Sequence, residues 1–440
     1  MDPARDPGFA SAHAATLLRA LGLAGAPGVA ADHPALAWRR AGLMAVTGRA
    51  AGPALVAPVA LTALADGALG ALRAIAPDAS FPGDSLPING ALLLGERARL
   101  LGLARRGQTS ANGSCHLIAA KGGHIALNLP RPDDLDLLPA LLGEEVADLA
   151  AFMAIARGRP VDDLLERGRL LGLAIAANRT ASAPDLPFTI TRHGPARARK
   201  GKPLVVDLSA LWAGPLAGSL LAAAGAEVIK VESRRRPDGA RRGHAGFYDW
   251  LNAGKRAVAL DFAAPEDVRR LRALIAVADI VIEGSRPRAL ADLGIDAAAT
   301  AARGATWVSI TAHGREGAAA GWTGFGDDAA IAGGLGAAMA SGWGEVLFAG
   351  DAIADPLAGL HAALCAWAGW TLGGGSLFSV PLARGIAHAC AAASVGPADL
   401  SAWQRLAEAD TAPLYPMRRP APPARALGAD NDRLAALTSG

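Results

Sequence analysis

The residues whose types and spacing could do chemistry fall into a few short stretches. Asp355 is followed by Pro356 and Gly359 at the head of an apolar run, Leu357 to Leu372. Proline suits the first turn of a helix, and the free N–H groups and dipole at that end favour an ionised carboxylate. Local sequence alone reads Asp-Pro as an ordinary helix start. Asp351, four residues earlier, lacks the following glycine and reads as a loop carboxylate, whereas Asp66 with Gly70 repeats the Asp-x-x-x-Gly spacing in the amino half. Basic runs at Arg192 to Lys202 and Arg234 to Arg242 read as solvated loops; the second follows an expected strand end and is the better placed for an anionic ligand. Cys115, Cys365 and Cys390 are odd in number, widely spaced and without C-x-x-C, which suggests neither a disulfide framework nor a metal site.

The stretch that must position these groups is LVVDLSALWAGPLAGSLLAAAGAEVIKVE, Leu204 to Glu232. An apolar β-branched run, Leu204 to Leu208, leads through Gly-Pro into an Ala/Leu-rich helical pattern, and Gly225 precedes a second run, Val228 to Val231. That is a βαβ unit, the start of a doubly wound parallel sheet. Such sheets bind small molecules at the carboxyl ends of their strands, so Ser209 to Gly214 and the residues after Glu232 are the expected ligand loops. Gly214 and Gly218 give G-x-x-x-G, not the G-x-G-x-x-G of dinucleotide sites.

A chain of 440 residues, 52% hydrophobic and of positive mean hydropathy, is long enough for two or three domains with large cores. The best candidate for a membrane span, Leu357 to Leu372, contains His361 and reads as a buried helix. The start, MDPARDPGFASAH, lacks the positive end and apolar core of a signal peptide, so a cytoplasmic location is expected. A net charge of +3 with balanced acids and bases leaves no nucleic-acid footprint.

In order, Ala12 to Leu23 reads as a helix and Pro34 to Leu101 as helices separated by Gly and Pro. From Asn112 to Ser182 two short strands flank Gly122-Gly123 before an acidic-capped helix, and Pro160 to Ala177 reads as a further helical stretch. Ala183 to Pro203, rich in proline and bases, reads as a linker. Beyond it come the βαβ unit, strands at Ala257 to Phe262, Ile280 to Glu283 and Trp307 to Thr311, and a helix at Pro265 to Val277. Helices are expected at Gly333 to Ala340, Asp355 to Trp370 and Ser379 to Ala393, and the Gly373 to Gly375 run reads as a flexible connection, not a phosphate loop.

DLSALWAGP, GAEVIKVE, NAGKRAVALDF (252–262) and ADIVIEGSRP (278–287) together resemble the class III (CaiB/BaiF) family of CoA-transferases, in the same order and at similar spacings. The resemblance implies an α/β fold with a doubly wound large domain at 204–440 and a small α+β domain, here displaced ahead of it at 112–182. Residues 1–111 resemble a truncated large-domain copy and Pro420 to Leu437 the family's terminal segment. Two parallels, Ala41 to Gly48 with Gly333 to Gly342 and Leu64 to Leu72 with Ile353 to Leu360, point to a partial duplication.

The same resemblance makes Asp355 the nucleophile, a carboxylate that attacks a thioester carbonyl to give a mixed anhydride reopened by CoA thiolate. It implies acyl-CoA and a carboxylic acid acceptor as substrates, a homodimer, and no permanent cofactor, metal, nucleic-acid or membrane partner. Carried over residue by residue, the CoA contacts are Trp212 and Ala213 in the first loop, Ser233 and Arg234 after the second strand, Leu260, Asp261, Phe262 and Ala263 along the adenosine, Gly284, Ser285 and Arg286 at the next strand end, and Thr323, Gly324, Phe325 and Gly326 facing the thioester. Two basic positions are missing: Ser233 replaces an arginine, and Asp292 stands where a second base would meet phosphate. Arg234 to Arg236 or Arg286 are the replacements on offer.

Two other functions fit the same motifs. An α-methylacyl-CoA racemase needs a histidine near Phe325 to Ala330, where there is none; His313, in an earlier loop, reads as a surface residue. A non-catalytic assembly subunit would account for the truncated repeat and the missing bases.

Overall fold

The computed structural model describes residues 5–6, 8–25, 27–76, 86–196, 201–419 and 422–434. The described residues contain ten strands: β1 (Cys115–Ala120), β2 (Gly123–Asn128), β3 (Ala174–Ala177), β4 (Thr189–Arg192), β5 (Leu204–Leu208), β6 (Glu227–Ser233), β7 (Arg256–Leu260), β8 (Ile280–Glu283), β9 (Thr306–Thr311) and β10 (Ser376–Pro381). Seven form one sheet in the order β4-β10-β9-β8-β5-β6-β7. β5 to β10 are parallel, and β4 lies antiparallel on the β10 edge. The chain builds outward from β5 to β7 and returns to place β8 on the other side of β5, so the order reverses between β5 and β8. The cleft at such a reversal opens at the carboxyl ends of the strands.

β5 to β10 are buried on both faces and mostly apolar, whereas edge strand β4 is largely exposed. One face is covered by helices Pro265–Val277, Pro287–Ala291 and Ala297–Ala302. Against the other lie Ala213–Ala223 and Ala354–Thr371. Outside them the amino-terminal segment adds a further layer: Leu61–Ile75 packs on Ala354–Thr371, and Phe9–Ala20 on Leu61–Ile75. These helices share one apolar core, so the described residues between Phe9 and Ala111 are part of the body of the fold. No helix among the described residues is long and apolar enough to cross a membrane.

β1, β2 and β3 form a separate antiparallel sheet. Strand side chains alternate between faces. Ile118, Ile125, Leu127 and Ile175 pack under helices Leu138–Leu142, Leu149–Ala156 and Val161–Leu170, while Cys115, Leu117, Ala126 and Ala176 meet Ile331 and Phe348. Ile331 belongs to helix Gly326–Ala332, which follows the loop at the carboxyl end of β9.

Several expectations are corrected. Pro160 to Ala177 is not one helix: it stops at Gly172, whose φ of 74° suits a glycine terminator, and Ala174 begins β3. Ser379 to Ala393 starts as β10, and only Leu382–Ala393 is helical. Ala183 to Pro203 contains edge strand β4; its residues 197–200 lie outside the described residues. Of the terminal segment, 420, 421 and 435–437 also lie outside them. Its Asp430 and Asn431 exchange hydrogen bonds with Ala257 and Ala259, covering the open edge of β7. Of the paired repeats, Ala41 to Gly48 carries only a 3₁₀ turn, Leu43–Val46, where Gly333 to Gly342 carries helix Leu335–Trp343.

The G-x-x-x-G glycines are required by close approaches. A Cβ on Gly214 would collide with Ser209, and one on Gly218 would sit 2.8 Å from both Asp207 Oδ2 and Lys255 Nζ, a buried ion pair. Gly385, in helix Leu382–Ala393, has open space where its Cβ would be. Gly218→Ala is therefore expected to lose on the order of 1–3 kcal/mol by overpacking, and Gly385→Ala to gain up to about 1 kcal/mol from helix propensity. Urea denaturation of the two variants distinguishes them.

Candidate active site

The first loop of the sheet is held by buried charges beneath it. Lys255 Nζ donates to Asp207 Oδ2 (2.8 Å), to Pro215 O and to Asn252 Oδ1; Lys230 Nζ donates to Ser209 O (2.9 Å) and pairs with Asp238 (2.9 Å). Asp238 in turn accepts the Leu211 N–H, and Leu211 stands at φ 69°, a left-handed conformation unfavourable for a side-chain-bearing residue. The loop is thus pinned in a strained shape at the carboxyl end of β5.

Asp355 lies in the first turn of Ala354–Thr371. This helix leads into the amino end of β10, so its own N-terminus sits with the carboxyl ends of the strands. Ala352, just before it, has φ 42°, and its N–H donates to Asp327 Oδ1 (2.8 Å) while its carbonyl accepts the Asp355 N–H (2.9 Å). A Cβ on Gly326 would collide with both the Asp355 carboxylate and Ala352 O. Gly359 lets the helix approach Ala213 O and Leu216, so both ends of Asp-x-x-x-Gly have a structural reason. Asp355 remains only partly exposed. Desolvation pushes its pKa up to about 7, opposed by the Arg97 charge and a Gly326 N–H bond and reinforced by Asp327 and Asp351.

Arg97 comes from the amino-terminal helix Ala91–Leu100. Its Nε and Nη2 each donate at 2.7 Å to the two oxygens of the fully buried Asp351, and its guanidinium lies 4.5 Å over the Trp212 ring. From the small sheet's side, Asn112 Nδ2 donates to Asp327 Oδ2 and Asn128 Nδ2 to Asp328 Oδ1, both at 2.9 Å. Burial pushes Asp327 up to about 6, with Asp351 adding to the rise, and Asp328 up to about 7. Four carboxylates, one guanidinium and two amides from three parts of the chain therefore meet around the start of one helix.

Asp66 is not a second copy of this arrangement. It sits in the middle of Leu61–Ile75, buried, and accepts the Gly90 and Ala91 N–H groups that open the next helix. Burial pushes it up to about 7.

The other expected contacts distribute as follows. Trp212 is buried, its ring covered by Arg97 and edge-packed on Phe247; Ala213 is buried beside Gly359. Ser233, Arg234, Asp261, Phe262, Ala263, Gly284, Ser285 and Arg286 lie along the carboxyl-end rim of β6, β7 and β8, whereas the Leu260 side chain is in the core. Arg235 is paired with Asp261 (2.8 Å) and Arg234 leans towards Asp267 (3.8 Å); Arg236 and Arg286 are exposed. Thr323 to Phe325 are half-buried, and Gly324 is tucked against His313 and Asp328. His313 is not the surface residue expected: it packs edge-on against Trp322, its Nε2 is buried without a partner, and burial, with the charge of Arg169, pushes it down to about 4.

Sequence reasoning missed Arg97, Asn112, Asn128 and the Asp327-Asp328 pair. The acidic pair was visible directly after Thr323 to Gly326; nothing local marks Arg97 within its helix. Arg97→Met would leave Asp351 buried without its countercharge and is expected to cost about 3–5 kcal/mol. The double variant with Asp351→Asn should recover much of that, a coupling readable by denaturation of the four proteins in the cycle.

Residues 203–394 match the family described as CoA-transferase family III. A succinate–glutarate CoA-transferase of Agrobacterium fabrum is 32% identical over 174 residues, covering 36% of this chain and 43% of the relative. Human succinyl-CoA:glutarate CoA-transferase is 29% identical over 167 residues, 36% of this chain and 38% of its own. The chain thus spans less than half the length of these relatives. A solved CaiB/BaiF family protein from Brucella suis superposes with TM-score 0.38 at 28% identity, covering 43% of this chain and 54% of that one. Residues 203–394, with the carboxyl-end loops and Asp355 among them, are thus similar to CoA-transferase family III.

Proposed function

We propose that this chain moves CoA from an acyl-CoA to a carboxylic acid, with Asp355 as the nucleophile. The observation that carries the reading is the dry, half-buried Asp355 carboxyl, fixed against Gly326 at a helix start and facing the Arg97 charge, beside the first ligand loop. The relatives' names add the substrate class: they are transferases of succinate, glutarate, mesaconate, citramalate and malate, all dicarboxylic acids, and we assign a dicarboxylate acceptor to this chain.

The chemistry balances in four displacements at carbonyl carbon. The Asp355 carboxylate attacks the acyl-CoA carbonyl and CoA thiolate leaves, giving a mixed anhydride. The thiolate attacks the Asp355 carbonyl, releasing the donor acid and leaving an aspartyl-CoA thioester. The acceptor carboxylate then displaces the thiolate to form a second anhydride, and the thiolate takes the acceptor acyl group, freeing Asp355. No net proton is transferred. Desolvation makes the carboxylate a stronger nucleophile, and Arg97 keeps it ionisable near neutral pH. CoA would lie along the rim from Ser233 to Arg286, with Arg236 and Arg286 towards phosphate in place of the missing bases. The active form would be a homodimer.

Transfer between acyl-CoA and a dicarboxylate, followed by separation of the thioesters, tests this. Asp355→Asn keeps the side chain's shape and an oxygen that can accept the Gly326 N–H while removing the nucleophile, so activity should fall at least about a thousandfold with folding intact; Asp66→Asn should do little, because an amide oxygen can still accept the Gly90 and Ala91 N–H groups. Because the ionised form reacts and the pKa is about 7, kcat/KM should rise with pH up to about 7 and level off above it. A wild-type-like Asp355→Asn variant would sink the assignment, and absence of any CoA binding would favour a non-catalytic subunit.

A further inference from the structure

Three histidines that the candidate site does not use meet inside the apolar core. His13 comes from Phe9–Ala20, His361 from Ala354–Thr371 and His388 from Leu382–Ala393, and all three are buried. Nε2 of His13 and Nε2 of His361 stand 3.0 Å apart, with the two rings edge to face and their centroids 5.3 Å apart. The His388 ring lies at the same centroid distance from His13, tilted by 33°. One turn away on the first two helices, Ala10, Leu17, Leu357 and Cys365 are buried as well, so the cluster has apolar walls.

The contacts fix where protons sit. An imidazole nitrogen carries either a hydrogen or a lone pair, so the close approach of two such nitrogens holds one shared proton when both rings are neutral. His388 Nδ1 faces Pro184 O at 3.1 Å and therefore carries hydrogen; its Nε2 is buried without a hydrogen-bond partner. Among the described residues no carboxylate hydrogen-bonds to any of the three rings. Arg384 and Asp185 act on His388 with opposite signs. Asp66, on the helix Leu61–Ile75 against which Phe9–Ala20 packs, is turned to the Gly90 and Ala91 N–H groups. The thiols of Cys365 and Cys390, on the other two helices, are pushed up by burial and stay neutral. A proton added to the cluster is thus a charge without a counter-ion in a dry core, and a second sets like charges side by side. Burial, reinforced by the neighbouring imidazoles, holds His13 well below its ordinary 6.5 and brings His361 down to about 3.

We propose that the three histidines form an acid-sensitive latch: neutral, they hold Phe9–Ala20 against Ala354–Thr371, the helix that carries Asp355, and protonation in mild acid releases the amino-terminal helix from the body. The sign follows from linkage. The folded values lie below the unfolded one, so the cluster's stabilisation is complete above about pH 6.5 and is lost as pH falls from there towards the folded values. Asp66, raised by burial to about 7, works in the opposite direction and cannot supply the effect. The latch does not rest on the transferase reading.

Hydrogen exchange of the full chain, followed by mass spectrometry between pH 7.5 and pH 5.0 and corrected for intrinsic exchange, tests it. The opening equilibrium of residues 9–20 should rise by about thirtyfold for each histidine that opening exposes, hence about a thousandfold if His13 and His361 both gain water. His13→Leu, an apolar replacement, and His13→Gln, which never titrates and keeps an N–H for His361, should each take about thirtyfold out of that rise. His116→Gln, in β1, should leave it within about twofold. A rise below about tenfold in the wild type, a rise that both His13 variants retain, or one that His116→Gln abolishes equally would overturn the proposal. So would a rise spread evenly over the chain, β5 and helix Pro265–Val277 included, because that is global unfolding.

Discussion

The bidentate pair between Arg97 and Asp351 is the interaction on which the site depends. One partner lies in the amino-terminal helix Ala91–Leu100 and the other in the loop that leads into Asp355. Because Asp351 is fully buried, its charge is tolerable only with a partner held in good geometry, and the pair therefore fixes the amino-terminal layer to the sheet. The same guanidinium covers Trp212, so the first loop, the loop before Asp355 and residues 91–100 are positioned by one group. This gives the amino-terminal segment a role that composition alone does not: it closes one wall of the site, and Asn112 and Asn128 bring the small sheet to the other.

Such a site works against stability. Asp327, Asp328 and Asp355 all have pKa values raised from 3.8 to between about 6 and about 7, mainly by burial. A carboxyl whose folded pKa is raised stabilises the fold, relative to the ionised unfolded chain, most at low pH. That advantage is lost as pH rises from the ordinary carboxylate value through the folded one. Near neutrality the protein therefore holds acids at the edge of ionisation in a dry environment, the condition in which a carboxylate is reactive. The left-handed conformation of Ala352 adds local strain at the same place.

Much of the large sheet was legible. β5, β8 and helix Pro265–Val277 were delimited to the residue because turn signals flank each run. β3 and β4 were missed for a physical reason: each is four residues long and takes its pairing from a distant strand, β2 or β10. Pro381 hid the end of β10, since a proline is equally at home before a helix. Asp355 draws notice in the sequence only through motifs far from it; its structural neighbours do not, because Arg97 lies 258 positions away and Asn128 reaches Asp328 across 200. Trp212 illustrates the converse, a residue placed on the first loop by sequence whose ring is covered by a partner no local pattern announces.

The central claim is that a covalent bond forms at Asp355. Incubating the protein with acyl-CoA, trapping with hydroxylamine or borohydride and mapping the peptides by mass spectrometry tests it most directly. The account predicts a mass change on the peptide carrying Asp355 that requires acyl-CoA and is absent from Asp355→Asn. Transfer activity with a modification at another carboxylate, or with none, would contradict it.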